Sequence, residues 1–218
     1  MNVIIAGASG LIGGHLLEGL LADAKFEKVT SLVRRAGSRA AAKLDAKLIE
    51  QIVDFGSLDG VSLPSAQVAF CCLGTTIKKA GSKDAFRAVD HDAVLGFARA
   101  AKRAGVSKFI VVTALGADAK SPVFYNRVKG EIERDLTGVG FDSLVVFRPS
   151  LLLGERAESR AAEKIAIKLA PIWSPLLIGP LATYRPIEAE RVASAMLVKA
   201  TRQTEPFEVV AGSDILSV

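Results

Sequence analysis

Hydrophobic and polar positions in this chain follow two rhythms: short β-branched runs, and longer stretches with helical spacing. The short runs cover residues 3–6, 28–33, 49–53, 67–73, 108–113, 141–147 and 207–210. Each reads as a buried strand. Helical patterns fall between them, at 15–23, 39–47, 82–104 and about 188–200. In the long one Phe86, Val89, Ala93, Phe97 and Ala100 share a face, and Gly105 ends it. Ser121-Pro122 predicts a further helix, with serine as cap and proline at the first helical position.

Strands alternating with helices imply a parallel sheet covered on both faces, a Rossmann-type doubly wound α/β fold. The 218 residues suit one domain over 1–218. After Ser150 the rhythm changes to a polar loop, a short helical pattern near 161–169 and a proline-broken apolar segment at 170–182. Residues 151–218 therefore read as a small cap over the carboxyl ends of the strands, where such sheets bind ligands.

The first strand runs into Gly7, Ala8, Ser9, Gly10, Leu11, Ile12 and Gly13, and a helix follows. Glycines let the backbone turn sharply and approach a pyrophosphate, and a helix start offers free N–H groups and the positive dipole end. The spacing is GxxGxxG, and the strand before it and helix after it make it a dinucleotide seat. The second strand ends in Arg34-Arg35 with no carboxylate at its tip. A guanidinium grips a 2′-phosphate, where an acidic residue would bind a free 2′-hydroxyl and repel the phosphate. NADP(H) is thus favoured over NAD(H). Asp54, after the third strand, stands where it can accept from the adenine amino group.

Composition narrows the picture. The formal charge is +5, yet residues 151–218 hold eight basic and eight acidic side chains, so the excess lies earlier in the chain. It gathers in Arg34-Arg35 and Lys78-Lys79 rather than in a basic stripe, which suits a small polyanion and not nucleic acid. The two cysteines, Cys71 and Cys72, lie in an apolar run and read as core. His15 and His91 read as solvated or capping residues, and no spacing suggests a metal site. No basic leader precedes the first strand, and no run is long enough to span a bilayer, so a cytoplasmic protein with no integral membrane segment is expected.

Tyr125 and Lys129 lie four apart, on one face of a helix. A phenol with a pKa of ~10 is a poor base at neutral pH, and a nearby ammonium favours its phenolate. Together with Gly7-Ala-Ser-Gly10-Leu-Ile-Gly13 and Phe147-Arg-Pro-Ser150, this pair resembles the short-chain dehydrogenase/reductase superfamily, of the extended or atypical kind. Residues 89–94, 115–118, 125–131 and 147–160 look like the Tat-interacting-protein-like oxidoreductases within it.

The resemblance covers nearly the whole chain and implies an NADP(H)-dependent oxidoreductase with Tyr125 as acid/base and Lys129 as its tuner. It implies that Thr113, at the end of the fifth strand, polarises the substrate oxygen, although the branch usually has two serines where this chain has Thr113-Ala114. Leu73, Gly74 and Thr75 would lie under the nicotinamide ribose, with Pro149 and Ser150 beside the carboxamide. The partner is then a small-molecule substrate. Two other readings stand beside this one: an NADP(H)-sensing regulatory protein, and a nucleotide-sugar epimerase or dehydratase, for which the short cap leaves little room. The apolar stripes at 82–104 and 122–136 suit either a homodimer seam or a monomer's sheet-facing surface.

Overall fold

The computed structural model describes residues 1–35, 45–153, 185–202 and 205–218. Its elements are β1 (Asn2–Ala6), α1 (Leu11–Ala22), β2 (Lys28–Val33), β3 (Leu48–Ile52), β4 (Val68–Cys71), α2 (Ile77–Ala80), α3 (Lys83–Arg87), α4 (Ala93–Arg103) and β5 (Lys108–Val112). Then come α5 (Phe124–Thr137), β6 (Ser143–Arg148), β7 (Leu152–Leu153), β8 (Ile187–Glu188), α6 (Ala189–Thr201) and β9 (Phe207–Ala211).

Seven strands form one parallel sheet in the order β3-β2-β1-β4-β5-β6-β9, and β7 pairs with β8 separately. The order reverses between β1 and β4, and in such sheets ligands bind outside the carboxyl ends of the strands at that switch point. Central strands carry apolar residues on both faces because helices cover both. On one face Leu16, Leu17 and Leu20 of α1 pack with Val192 and Met196 of α6. On the other, Val94, Phe97 and Ala101 of α4 join Ile132 and Leu136 of α5 over Ile4, Ala69 and Phe109. The stripes at 82–104 and 122–136 thus face the sheet.

Three expectations are corrected. The long helix is not continuous, because a π-helical turn over residues 88–92 separates α3 from α4. The fifth helix starts at Phe124, and Ser121 Oγ instead accepts from the Val123 N–H at 3.2 Å, a local turn outside the helix. Residues 189–211 are not a cap. β9 extends the main sheet beside β6, and Leu197 of α6 sits so close to α1 that a Cβ on Gly19 would come within 2.3 Å of it.

The helical patterns at 39–47 and 161–169 and the apolar segment at 170–182 lie wholly or mainly outside the described residues. Among the described residues no helix is long and apolar enough to cross a membrane.

Candidate functional site

The glycine loop closes on itself through backbone contacts. Gly7 has φ +88°, and a Cβ there would fall 2.5 Å from the backbone carbonyl of Cys72. The Gly10 N–H donates to the Gly7 carbonyl at 2.9 Å. A Cβ on Gly13 would lie 2.1 Å from that same carbonyl oxygen, so only glycine lets α1 start this near the β1 tip. Leu11 and Ile12 form the first turn, Ser9 is exposed before it, and the cap, Gly10, offers no side chain to the helix N–H groups.

With no acidic residue in that turn, the start of α1 is a twelve-residue helix end open to an anion, and the donor set fits a pyrophosphate. Gly13→Ala should cost about 1–3 kcal/mol of stability or more and abolish nucleotide binding, because a fixed carbonyl occupies the space. Thermal unfolding and calorimetry measure the two effects. Unchanged affinity for both nicotinamide nucleotides would show that the loop is not the phosphate seat.

Arg34 and Arg35 follow β2 and are exposed. The neighbouring β3 tip brings Asp54 alongside, since the Val53 N–H donates to the Val33 carbonyl at 2.9 Å. Asp54 is exposed, and its Oδ1 accepts the Gly56 N–H at 2.9 Å. These three residues lie just past the carboxyl tips of the paired strands β2 and β3.

At the β4 tip the Cys72 N–H donates to the Ala6 carbonyl at 2.8 Å, which sets Leu73, Gly74 and Thr75 beside the glycine loop. Here the structure adds a residue that the sequence reading overlooked. Asp90, from the π-helical turn, is 1% exposed, and one of its oxygens accepts the Thr75 N–H at 2.8 Å. The other lies 2.8 Å from the Lys129 Nζ, an ion pair without a directed hydrogen bond at that oxygen. Lys129 is 4% exposed. Burial pushes its ammonium down, but the Asp90 charge, helped by Tyr125 and Cys71, outweighs that and holds it above the ordinary 10.5. A Cβ on Gly74 would come within 3.4 Å of Asp90 Oδ1 and 3.8 Å of Lys129 Nζ, so glycine leaves space next to the pair.

One turn before Lys129, the half-buried Tyr125 ring packs 5.4 Å from Phe86. Its hydroxyl has no protein hydrogen-bond partner among the described residues. Gly130 lets α5 lie against the loop before it, since a Cβ there would fall 2.1 Å from the Ala119 nitrogen. Cys71 is buried, and desolvation pushes its thiol up to about 12, so it stays protonated and inert at neutral pH.

Thr113 follows β5 directly, at its carboxyl tip. Its hydroxyl is buried and donates to Glu133 Oε1. Pro149 is buried, and its carbonyl accepts the Leu115 N–H at 2.9 Å. Ser150 Oγ donates to the Arg185 carbonyl. His91 is not solvated: Nδ1 is 2.7 Å from Asp92 and Nε2 3.0 Å from Asp135, joining the π-helical turn to α5.

Residues 7–147 match the model of a family described as NAD(P)H-binding. Protein HTATIP2 from Rattus norvegicus is 42% identical over 189 residues, covering 84% of this chain and 77% of the relative. Protein fmp52, mitochondrial, from Emericella nidulans is 36% identical over 169 residues, covering 76% and 72%. Such relatives, another of them from Candida albicans, are named mitochondrial, which overturns the cytoplasmic expectation.

Among solved structures, the chain superimposes on a UDP-N-acetylglucosamine 4-epimerase from Methanobrevibacter ruminantium at TM-score 0.71 and 18% identity, covering 96% of this chain and 76% of the other. MoeE5 in complex with UDP-glucose and NAD gives 0.69 at 16%, covering 100% and 80%. At such identities the likeness concerns the fold. The crowded glycine turn, the uncapped helix start and the sequence match agree: this chain belongs to the NAD(P)H-binding family.

Proposed function

We propose that the protein is an NADP(H)-dependent oxidoreductase acting on a small carbonyl or alcohol, with Tyr125 as its acid/base. The observation that carries this reading is the half-buried Tyr125 one helical turn from the buried ammonium of Lys129, its hydroxyl without a hydrogen-bond partner among the described residues. When bound, the nicotinamide dinucleotide supplies or takes up the hydride. Tyr125 gives the substrate oxygen its proton on reduction and takes it back on oxidation. Lys129, held by Asp90, sets a positive charge near the phenol and would hold the ribose hydroxyls. Leu73, Gly74 and Thr75 would hold the nicotinamide ribose, and Pro149 and Ser150 would hold the carboxamide.

The 2′-phosphate is assigned to Arg34 and Arg35. Arg34→Ala should weaken NADPH roughly tenfold or more, because a charge-assisted hydrogen bond is lost, and leave NADH nearly unchanged. Titration calorimetry with both nucleotides reads this directly, and equal losses would remove the basis for the preference. The broader reading is tested by NADPH oxidation across a carbonyl panel. If neither nucleotide binds the purified protein, the oxidoreductase assignment is wrong.

A further inference from the structure

Thr113 is the hydroxyl nearest in sequence to the role of polarising a substrate carbonyl, and its neighbours decide whether it can. It is 6% exposed at the β5 tip, and its Oγ1 contacts two groups, Glu133 Oε1 and, at 3.4 Å, the Phe147 carbonyl. Glu133 is 4% exposed and pinned from the end of β6. Arg148 Nε donates to its two oxygens at 3.0 and 3.1 Å, and Nη2 adds a further contact. A carboxylate held by a guanidinium only accepts, and so does a carbonyl. A hydroxyl has one proton, and between two acceptors Thr113 must give it to them. The next residue, Ala114, brings no hydroxyl.

We infer that this site polarises its substrate with the Tyr125 hydroxyl and no second hydroxyl from the β5 tip, and therefore takes carbonyls already activated by an electron-withdrawing neighbour, such as α-dicarbonyls, rather than simple ketones. The inference rests on the oxidoreductase reading above. In the step, the carbonyl carbon accepts a hydride, two electrons with one hydrogen, from the reduced nicotinamide dinucleotide, which is left oxidised. The C=O π pair moves to oxygen, and that oxygen takes the Tyr125 proton to give the alcohol. One missing donor costs about 10²–10³ in rate for a carbonyl that needs it. A carbonyl beside a second carbonyl has a lower barrier and needs it less.

The test compares 1-phenyl-1,2-propanedione with propiophenone, each with NADPH, in wild type, Thr113→Val and Ala114→Ser. The dione should turn over about 10²-fold faster than the ketone, the size of one absent donor. Thr113→Val should change dione turnover less than about threefold, far below a lost polarising donor. Ala114→Ser should narrow the gap between the two substrates. Thr113→Ala repeats the measurement should valine not fit.

A readout independent of turnover is thermal unfolding of Thr113→Val, Glu133→Gln and the double variant. Their effects should be non-additive, because the residues share one hydrogen bond. A 10²-fold fall in turnover for the Thr113 variants, with unchanged NADPH affinity, would overturn the inference and leave the oxidoreductase reading standing. No turnover of either compound, or full turnover by Tyr125→Phe, would overturn that reading and this inference with it.

Discussion

Asp90→Asn should unfold far more easily than wild type in a thermal melt. The change keeps the shape and an acceptor for the Thr75 N–H, but it leaves the Lys129 ammonium buried without its counter-charge. Removing one partner of a buried pair costs about 3–5 kcal/mol, because the surviving charge has neither water nor a partner. In a chain of this size that lowers Tm by roughly 10 °C.

The pH dependence has a fixed sign. The folded pKa of Lys129 is raised above 10.5, so the pair's contribution is complete below that value. It is lost only as pH rises through the higher folded value. Wild type should keep this contribution across the neutral range, and the gap to Asp90→Asn should close as pH rises, because the variant's unpaired buried lysine gives up its proton first. Replacing both residues, Asp90→Leu with Lys129→Met, should recover much of the loss, since no charge is then buried. A double variant no more stable than the single one would show that the pair's charge is not what matters there.

The second large effect falls on turnover. Tyr125→Phe should reduce NADPH-dependent carbonyl reduction by about 10²–10⁴-fold, the usual value of a positioned acid/base group. Stability and nucleotide affinity should hardly move. The phenyl ring keeps its packing on Phe86, and the lost hydroxyl had no protein partner among the described residues. Steady-state kinetics and calorimetry on one preparation separate chemistry from binding. Wild-type turnover in this variant would take the proton-transfer role away from Tyr125. A parallel loss of nucleotide affinity would give the residue a binding role instead.

Much of the fold was legible in the chain because its signals are local. A β-branched run needs burial on both faces wherever it sits, and Gly7, Gly10 and Gly13 mark a tight turn, with Gly7 and Gly13 crowded against Cys72 and the Gly7 carbonyl beyond what a side chain allows. The Tyr125–Lys129 spacing is likewise a property of one helix. Less legible were the boundaries set by packing. The helical rhythm of 82–104 runs unbroken through the π-helical turn, because an extra residue in one turn scarcely disturbs an apolar face. The tail after Ser150 reads as a separate cap until β9 is seen hydrogen-bonded to β6.

By itself, then, the sequence determined the alternation of strands and helices, the phosphate-cradling turn, the basic tip of β2 and the phenol–ammonium spacing, all of which depend on backbone conformation within a few residues. Tertiary structure alone decided which carboxylate meets which cation. Asp90 reaches Lys129, and Glu133, held by Arg148, accepts the Thr113 hydrogen bond, only because the π-helical turn, α5, β5 and β6 are brought together. Buried charges must find partners across the fold, and those partners are chosen by proximity in space, which spacing along a chain does not encode.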